Sequence, residues 1–405
     1  MRDVDVFQQA LGLAPPWKVE DVEFDAEAGR LDLYLDFPAG SEFTCPVCGR
    51  EDCKAYDTTE KTWRHLNFFE HRAYLHARVP RVECAECGVK LVEVPWAREG
   101  SGFTLLFEAF VLALIKAMPV AAAGRLVDEH DTRLWRILHH YVDGAREAAD
   151  FSAVCQVGVD ETSAKRGQNY ITLFCDLKES RTLFVTEGRD ASTLGRFRLD
   201  LLAHGGRPER ITDLCMDMSA GYLRGARRHL PEAEIVFDKF HVMKLVNEAV
   251  DQVRRAEQTE RPELKRSRYV WLKNPKNLTA HQRALLEALS PKKVGLKTAR
   301  AYRIKLALQE FWTLPPALAE AFLKRWYFWA THSRLEPMIR VAKTLKAHWE
   351  GILRWFRVPI SNGILEAINS LVQAAKAKAR GYRTTRNLIT IVYLVTGKLD
   401  LSAPI

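Results

Sequence analysis

Three acidic residues are placed in this chain so that together they could hold a divalent cation. They are Asp160, which closes the apolar run "CQVGVD", Asp217, which closes "RITDLCMD", and Glu366, within "SNGILEAINS". The first two runs read as strands and the third as a helix. Side chains at the ends of neighbouring strands converge on one edge of a sheet, and two carboxylates there repel unless a cation sits between them. Oxygen ligands favour magnesium or manganese. A third carboxylate completes a pocket for two ions ~3.5–4 Å apart, which activates a water or a sugar hydroxyl and stabilises the leaving oxygen at phosphorus. Ser361 or Asn362 would cap the helix bearing Glu366 and fix its direction. Each acid alone has a plainer reading, as a turn residue, a helix cap and a solvated helical acid; the expectation rests on their combination. Asp213 competes with Asp217 on strand parity.

A second constellation is made of sulfur. Cys45 and Cys48 in "CPVC" and Cys84 and Cys87 in "CAEC" are two pairs whose internal spacing turns both sulfurs toward one tetrahedral ion. Gly49 and Gly88 follow the second cysteine of each pair and suit the tight turn that brings backbone amides to thiolates. Zinc is the expected metal. Cys53 and His76 lie between the pairs, which need neither of them. Cys155, Cys175 and Cys215 sit in apolar runs and read as small core residues.

Elements must carry these groups. At 405 residues the chain is long enough for two or more domains. Sixty Lys and Arg against 51 Asp and Glu give a formal charge of +9, which favours a polyanionic partner. An apolar span of about 18 residues is missing, and the acidic "MRDVDVFQQA" is unlike a signal peptide, so the expected location is the cytoplasm. Residues 1–99 hold the alternating "GRLDLYLDF" and the cysteine module, and end at a glycine–serine stretch. Residues 100–150 read as a helix-turn-helix, with "DEHD" as its turn and 132–142 as the groove-reading helix; Arg133 and Arg136 would face DNA. Residues 151–254 give three strands in a meander, then alternating helix and strand. Residues 255–350 show helix signals only, with Trp271 either core or a stacking surface for an unpaired base, and 351–405 return to helix with a basic end. The fold class is therefore α/β, an RNase H-like mixed sheet flanked by helices and interrupted by an all-helical insertion.

The chain resembles the ISL-three family of insertion-sequence transposases, whose active site is an Asp, Asp, Glu triad. The resemblance spans nearly the whole sequence. It rests on the two cysteine pairs and on "VGVDETSAKRGQNYITLFCDL", "CMDMSAGY", "IVFDKFHVMKLVNEAVDQVRR", "YVWLKNPKNLT" and "SNGILEAINSLVQAAKAKARGYR". It implies that Asp160, Asp217 and Glu366 are the magnesium-binding triad, with Asp217 preferred to Asp213 by the "DMSAGY" match. It also implies that Asp238 and His241 of "DKFH" take part at the scissile phosphate or orient a metal ligand.

Lys165, Arg166, Lys376, Lys378, Arg380 and Arg383 would meet phosphate, the last four in a segment where family members more often continue with basic residues. The implied activity is metal-dependent cleavage and strand transfer of double-stranded DNA at terminal inverted repeats, by at least a homodimer. Two rivals remain at this stage: a DNA-binding regulator descended from a transposase that lost catalysis, and a structure-selective nuclease of the same fold.

Overall fold

The computed structural model describes residues 3–165, 167, 169–291, 294–358 and 363–401. It is a mixed α/β structure with two mixed sheets, and the chain divides into two compact units. The first comprises residues 1–146 with 378–380 and 399–405, and the second comprises 147–377 with 381–398.

The first unit begins with α1 (Asp3–Ala10) and strands β1 (Lys18–Asp25), β2 (Arg30–Asp36), β3 (Glu42–Phe43), β4 (Cys53–Arg64), β5 (Arg72–Cys84) and β6 (Gly88–Leu91). The strands form one sheet in the order β1-β2-β5-β4-β3, with β6 also paired to β5. Alternation in β2 buries Leu31, Leu33 and Leu35, and β5 buries Ala73, Leu75, Ala77 and Val79 against them. Trp96 meets Trp17 and Trp63 edge-on, at 4.8 and 5.6 Å between ring centroids.

Three helices follow: α2 (Leu105–Ala117), capped by the Thr104 hydroxyl, α3 (Val120–Val127) and α4 (Asp131–Glu147). Leu134, Ile137, Leu138, Tyr141 and Val142 give α4 its buried face. The turn before it is tight enough to require a glycine: a Cβ on Gly124 would lie 2.7 Å from the Glu129 carbonyl oxygen. The glycine–serine stretch is bound on both sides. Gly102 O accepts from Arg64 N at 2.9 Å, and Ser101 Oγ donates to Glu108 at 2.6 Å. Glu108, wholly buried, also accepts from Arg98 Nε and the Tyr141 hydroxyl, so its charge is compensated.

The second unit is built on β7 (Gln156–Lys165), β8 (Asn169–Asp176), β9 (Arg181–Glu187), α5 (Ala191–Ala203), β10 (Asp213–Met216), α6 (Ala220–His229), β11 (Glu234–Phe237) and α7 (Lys239–Glu257). The sheet order is β11-β10-β7-β8-β9. The last three strands of that order are an antiparallel meander, and β10 and β11 add parallel to β7. The expected element order is thus found, with one correction. Asp160 does not end its strand, because β7 continues to Lys165 against β8; Asp160 stands just past the Gln156–Gly158 stretch that pairs with β10.

From the end of α7 to residue 358, helices and short helical turns are the regular structure among the described residues. These helices are α8 (Arg268–Leu272), α9 (Ala280–Leu289), α10 (Lys297–Phe311), α11 (Pro316–Thr331), α12 (Glu336–Ala347) and α13 (Trp349–Arg354). Glu257, at the end of α7, caps α10 by accepting from Lys297 N, Thr298 N and Thr298 Oγ1, each at 2.7 Å. The buried Lys305 ammonium donates to the carbonyls of Trp271, Leu272 and Lys273 and so closes the end of α8. Trp271 is wholly buried, with Nε1 donating to Ser267 Oγ, so it is core and offers no face to a base. The chain finishes with α14 (Gly363–Lys378) and α15 (Thr385–Thr396). The Tyr393 hydroxyl of α15 accepts from Val185 N of β9.

Candidate active site and zinc centre

Strand register brings the acids together. The β7–β10 pairing runs Gln156 with Asp213, Val157 with Leu214 and Gly158 with Cys215, and two further residues bring Asp160 level with Asp217. The β10–β11 pairing runs Asp213 with Glu234 through Met216 with Phe237, so the next residue brings Asp217 level with Asp238. Residues at one level of a parallel pair share a face, so Asp217 and Asp238, just past the carboxyl ends of β10 and β11, stand in a row with Asp160, midway along β7. Asp213 lies at the other end of β10, buried and held by Arg354, Gln156 and Thr212. It is a structural ion pair, and Arg354 reaches Glu234 as well.

Electrostatics agree with convergence. Burial pushes the Asp160 carboxyl up to about 6; the Glu161 amide and His241 work against the rise, and the negative Asp238 and Asp217 add to it. Asp238 is buried and caps α7, accepting from Phe240 N at 2.8 Å. Its Oδ2 lies 2.7 Å from His241 Nδ1. Burial opposes the imidazolium of His241, but the bond to Asp238 and the charges of Asp160 and Asp217 outweigh it and raise its pKa.

Glu366 reaches this neighbourhood through α14, whose residues Asn369, Gln373 and Lys376 share one face. Asn369 Nδ2 donates to Asp160 Oδ2 at 2.5 Å, Gln373 Nε2 donates to Thr162 Oγ1, and Lys376 Nζ to Ser163 O. Gly158 admits the helix: a Cβ there would lie 2.9 Å from Leu365 Cδ1 and 2.8 Å from Leu177 Cδ2. Glu366 is exposed and, with Asp238, lines a cavity of ≈ 1230 Å³ whose walls carry Lys239, Lys244, Arg255 and Arg268. Asp160, Asp217 and Glu366 do not have their ligand atoms all within 4.8 Å of one another; among the described residues the four cysteines are the one group of three or more that does. Ser361 and Asn362, the expected caps of α14, lie outside the described residues, as does Arg166.

The expected phosphate-facing bases divide into two groups. Arg136, Arg380 and Arg383 are exposed. Arg133 is held by Glu129 at 2.6 Å and stacks on Phe103 at 4.2 Å, so its guanidinium is already engaged. Lys165 donates to Arg383 O, Lys376 to Ser163 O and Lys378 to Ala117 O, which ties three ammonium groups to main-chain carbonyls.

Cys45, Cys48, Cys84 and Cys87 have all their sulfurs within 4.8 Å of one another. Gly49 and Gly88 both adopt φ +72°, the left-handed turn expected of them. Backbone amides of Glu86 and Cys87 lower the Cys84 thiol to about 6, whereas the neighbouring Cys48 and burial raise Cys87 to about 12. Four thiols that cannot all ionise beside one another, with amides aimed at them, are a donor set that fits zinc. His76 bonds Asp32 and Thr62 instead. The Cys53 thiol faces the Arg50 and Glu51 carbonyls.

Reasoning from the sequence missed Asn369 and Gln373. The signal was present, since they follow Glu366 at helical spacing, but their partners lie some two hundred residues earlier in β7.

Comparison with known proteins gives three family matches. A family described as a transposase of the ISL3 type matches residues 157–392. The helix-turn-helix domain of transposase family ISL3 matches 92–142, and the zinc-finger of transposase IS204/IS1001/IS1096/IS1165 matches 41–87. The transposase for insertion sequence element IS1001 of Bordetella parapertussis is 30% identical over 93% of this chain and 94% of its own length. The transposase for insertion sequence element IS1557 of Mycobacterium tuberculosis is 28% identical over 97% and 96%.

Proposed function

The chain belongs to the ISL3 family of transposases, and from that premise we propose that it binds the terminal inverted repeats of an insertion sequence, cuts at their ends and joins them to target DNA. The observation that carries this reading is the row of Asp160, Asp217 and Asp238, with α14 docked on Asp160 and Glu366 one helical turn away. We read the sheet as RNase H-like, in two parts, 151–254 and 351–405, separated by an all-helical insertion over 255–350. Residues 1–99 and 100–150 serve as the zinc and helix-turn-helix modules that recognise the ends.

Asp160, Asp217 and Glu366 would hold the divalent ions, magnesium or manganese. Such ions supply a nucleophile at neutral pH and charge for the leaving oxygen. The protein's own groups do the rest. Asp238 fixes the His241 ring through Nδ1, so a protonated His241 presents Nε2–H to a phosphate oxygen. The exposed Arg136, Arg380 and Arg383 neutralise backbone phosphates. Water first attacks the phosphorus at the element's end and the 3′ oxygen leaves; that 3′ hydroxyl then attacks a target phosphate and a second 3′ oxygen leaves. Joining two ends in one event calls for a homodimer.

Purified protein incubated with labelled ends, a target duplex and magnesium should give strand-joined products. Cleavage without joining would favour a nuclease, and a mobility shift without cutting would favour a regulator.

A further inference from the structure

We propose that Asn369 is a positioning residue for the metal site, one that sets the carboxylate of Asp160 and the helix bearing Glu366 at the same time. The inference rests on the proposed cleavage function and concerns how its site is held.

The geometry begins with the amide. Asn369 Nδ2 donates to Asp160 Oδ2 at 2.5 Å, while the Glu161 amide donates to Asp160 Oδ1 at 2.8 Å. Each carboxylate oxygen therefore has one donor from the protein and keeps a lone pair for an ion. The reverse orientation of the Asn369 amide would set its oxygen against a carboxylate, so the donor side must face Asp160. Asn369 Oδ1 is left buried with no hydrogen-bond donor among the described residues. A buried acceptor without a donor works against the fold, and a leucine or alanine would avoid it. An asparagine at this place is accounted for by what its nitrogen does to Asp160.

The second part is mechanical. Asn369, Gln373 and Lys376 bond to Asp160, Thr162 and the Ser163 carbonyl in ascending order, so α14 and β7 run side by side in one direction. Glu366 stands three residues before Asn369 on the same helical face. One side chain thus ties the Asp160 carboxylate to the helix that bears Glu366, 206 positions further along the chain. Gln373 and Lys376 contribute to the same seam without touching an acid of the row. They separate docking of the helix from orientation of the carboxylate.

Full-length Asn369→Ala, Gln373→Ala and wild-type protein are compared by manganese binding, followed by electron paramagnetic resonance, by thermal melting and by end cleavage against magnesium concentration. Removing a hydrogen-bond partner of a metal ligand typically weakens the metal about 10–100-fold. Asn369→Ala is expected to raise the half-saturating manganese and magnesium concentrations by about that factor, with end binding kept. Gln373→Ala is expected to lower the melting temperature and leave metal saturation where it was. Asn369→Leu, similar in size and a better helix former, carries the same test if the alanine variant does not fold. Wild-type metal saturation in a folded Asn369 variant overturns the proposal, and so does an equal shift in Gln373→Ala. Wild-type protein that binds manganese but never cuts an end would instead refute the cleavage reading.

Discussion

Asp160 is held in a state that works against the fold. A carboxyl lifted from 3.8 to about 6 binds its proton more tightly in the folded chain than in the unfolded one. Stability is therefore lost as pH rises through that interval, and the whole penalty is present above it. For a half-buried group this is on the order of 1–2 kcal/mol. Asp160→Asn is expected to abolish end cleavage yet raise the melting temperature at neutral pH by a few degrees, as calorimetry would read; a lower melting temperature would show that the acid supports the fold. Magnesium should raise the melting temperature of the wild type and leave the asparagine variant unmoved. At the sulfur site the expectation has the opposite sign. Cys84→Ser removes the thiol that ionises most readily, so bound zinc, measured by atomic emission, should fall toward zero and end binding should go with it.

Elements place these residues through two close approaches. Gly124→Ala would drive a methyl group into the Glu129 carbonyl at 2.7 Å, which cannot give way as a flexible side chain can. The expected cost is about 1–3 kcal/mol and at least a tenfold loss of end affinity by gel shift. Gly158→Ala would press on Leu365 and Leu177, so α14 should lift from β7 and cleavage should fall much more than end binding. The strands and helices were legible because their apolar periodicity is strong: Leu31, Leu33 and Leu35 in β2, and Leu134, Leu138 and Tyr141 in α4. The course of β7 past Asp160 was less legible, because Glu161, Thr162 and Ser163 are polar whether they pair with β8 or turn. The engagement of Arg133 by Phe103 and Glu129 was equally hidden, since it depends on loops meeting a helix. Asp160 and Glu366 stand out as candidates by residue type and place, and Asp217 is preferred to Asp213 only through the "DMSAGY" resemblance, but Asn369 is recognisable only once β7 and α14 are side by side.

At the scale of the molecule, two sites, His65 in the first unit and Asp160 in the second, answer acid in opposite directions. His65 in the first unit is kept neutral, its pKa lowered to about 4 by burial and by Arg64. Its unfolded form takes up a proton near 6.5, so stability is lost as pH falls from there toward 4. Across much of the same range Asp160 gains its proton in the second unit and the penalty at β7 is relieved. Hydrogen exchange with mass readout, compared at pH 7 and pH 5, is expected to show protection falling around His65 and Thr104, which bond each other at 2.9 Å, and holding or rising along β7 and β10. Uniform change across both would refute the assignment. Among the described residues no helix is long and apolar enough to cross a membrane.

The shared offset of β7, β10 and β11 also has a hereditary side. One codon gained between Asp213 and Asp217 would turn an aspartate to the opposite surface of the pleat and silence every copy descended from that gene. Codons gained in the connections between α9 and α13 meet no such bookkeeping of odd and even. Lineages of this element should therefore drift in length within the helical stretch while β7, β10 and β11 keep their count.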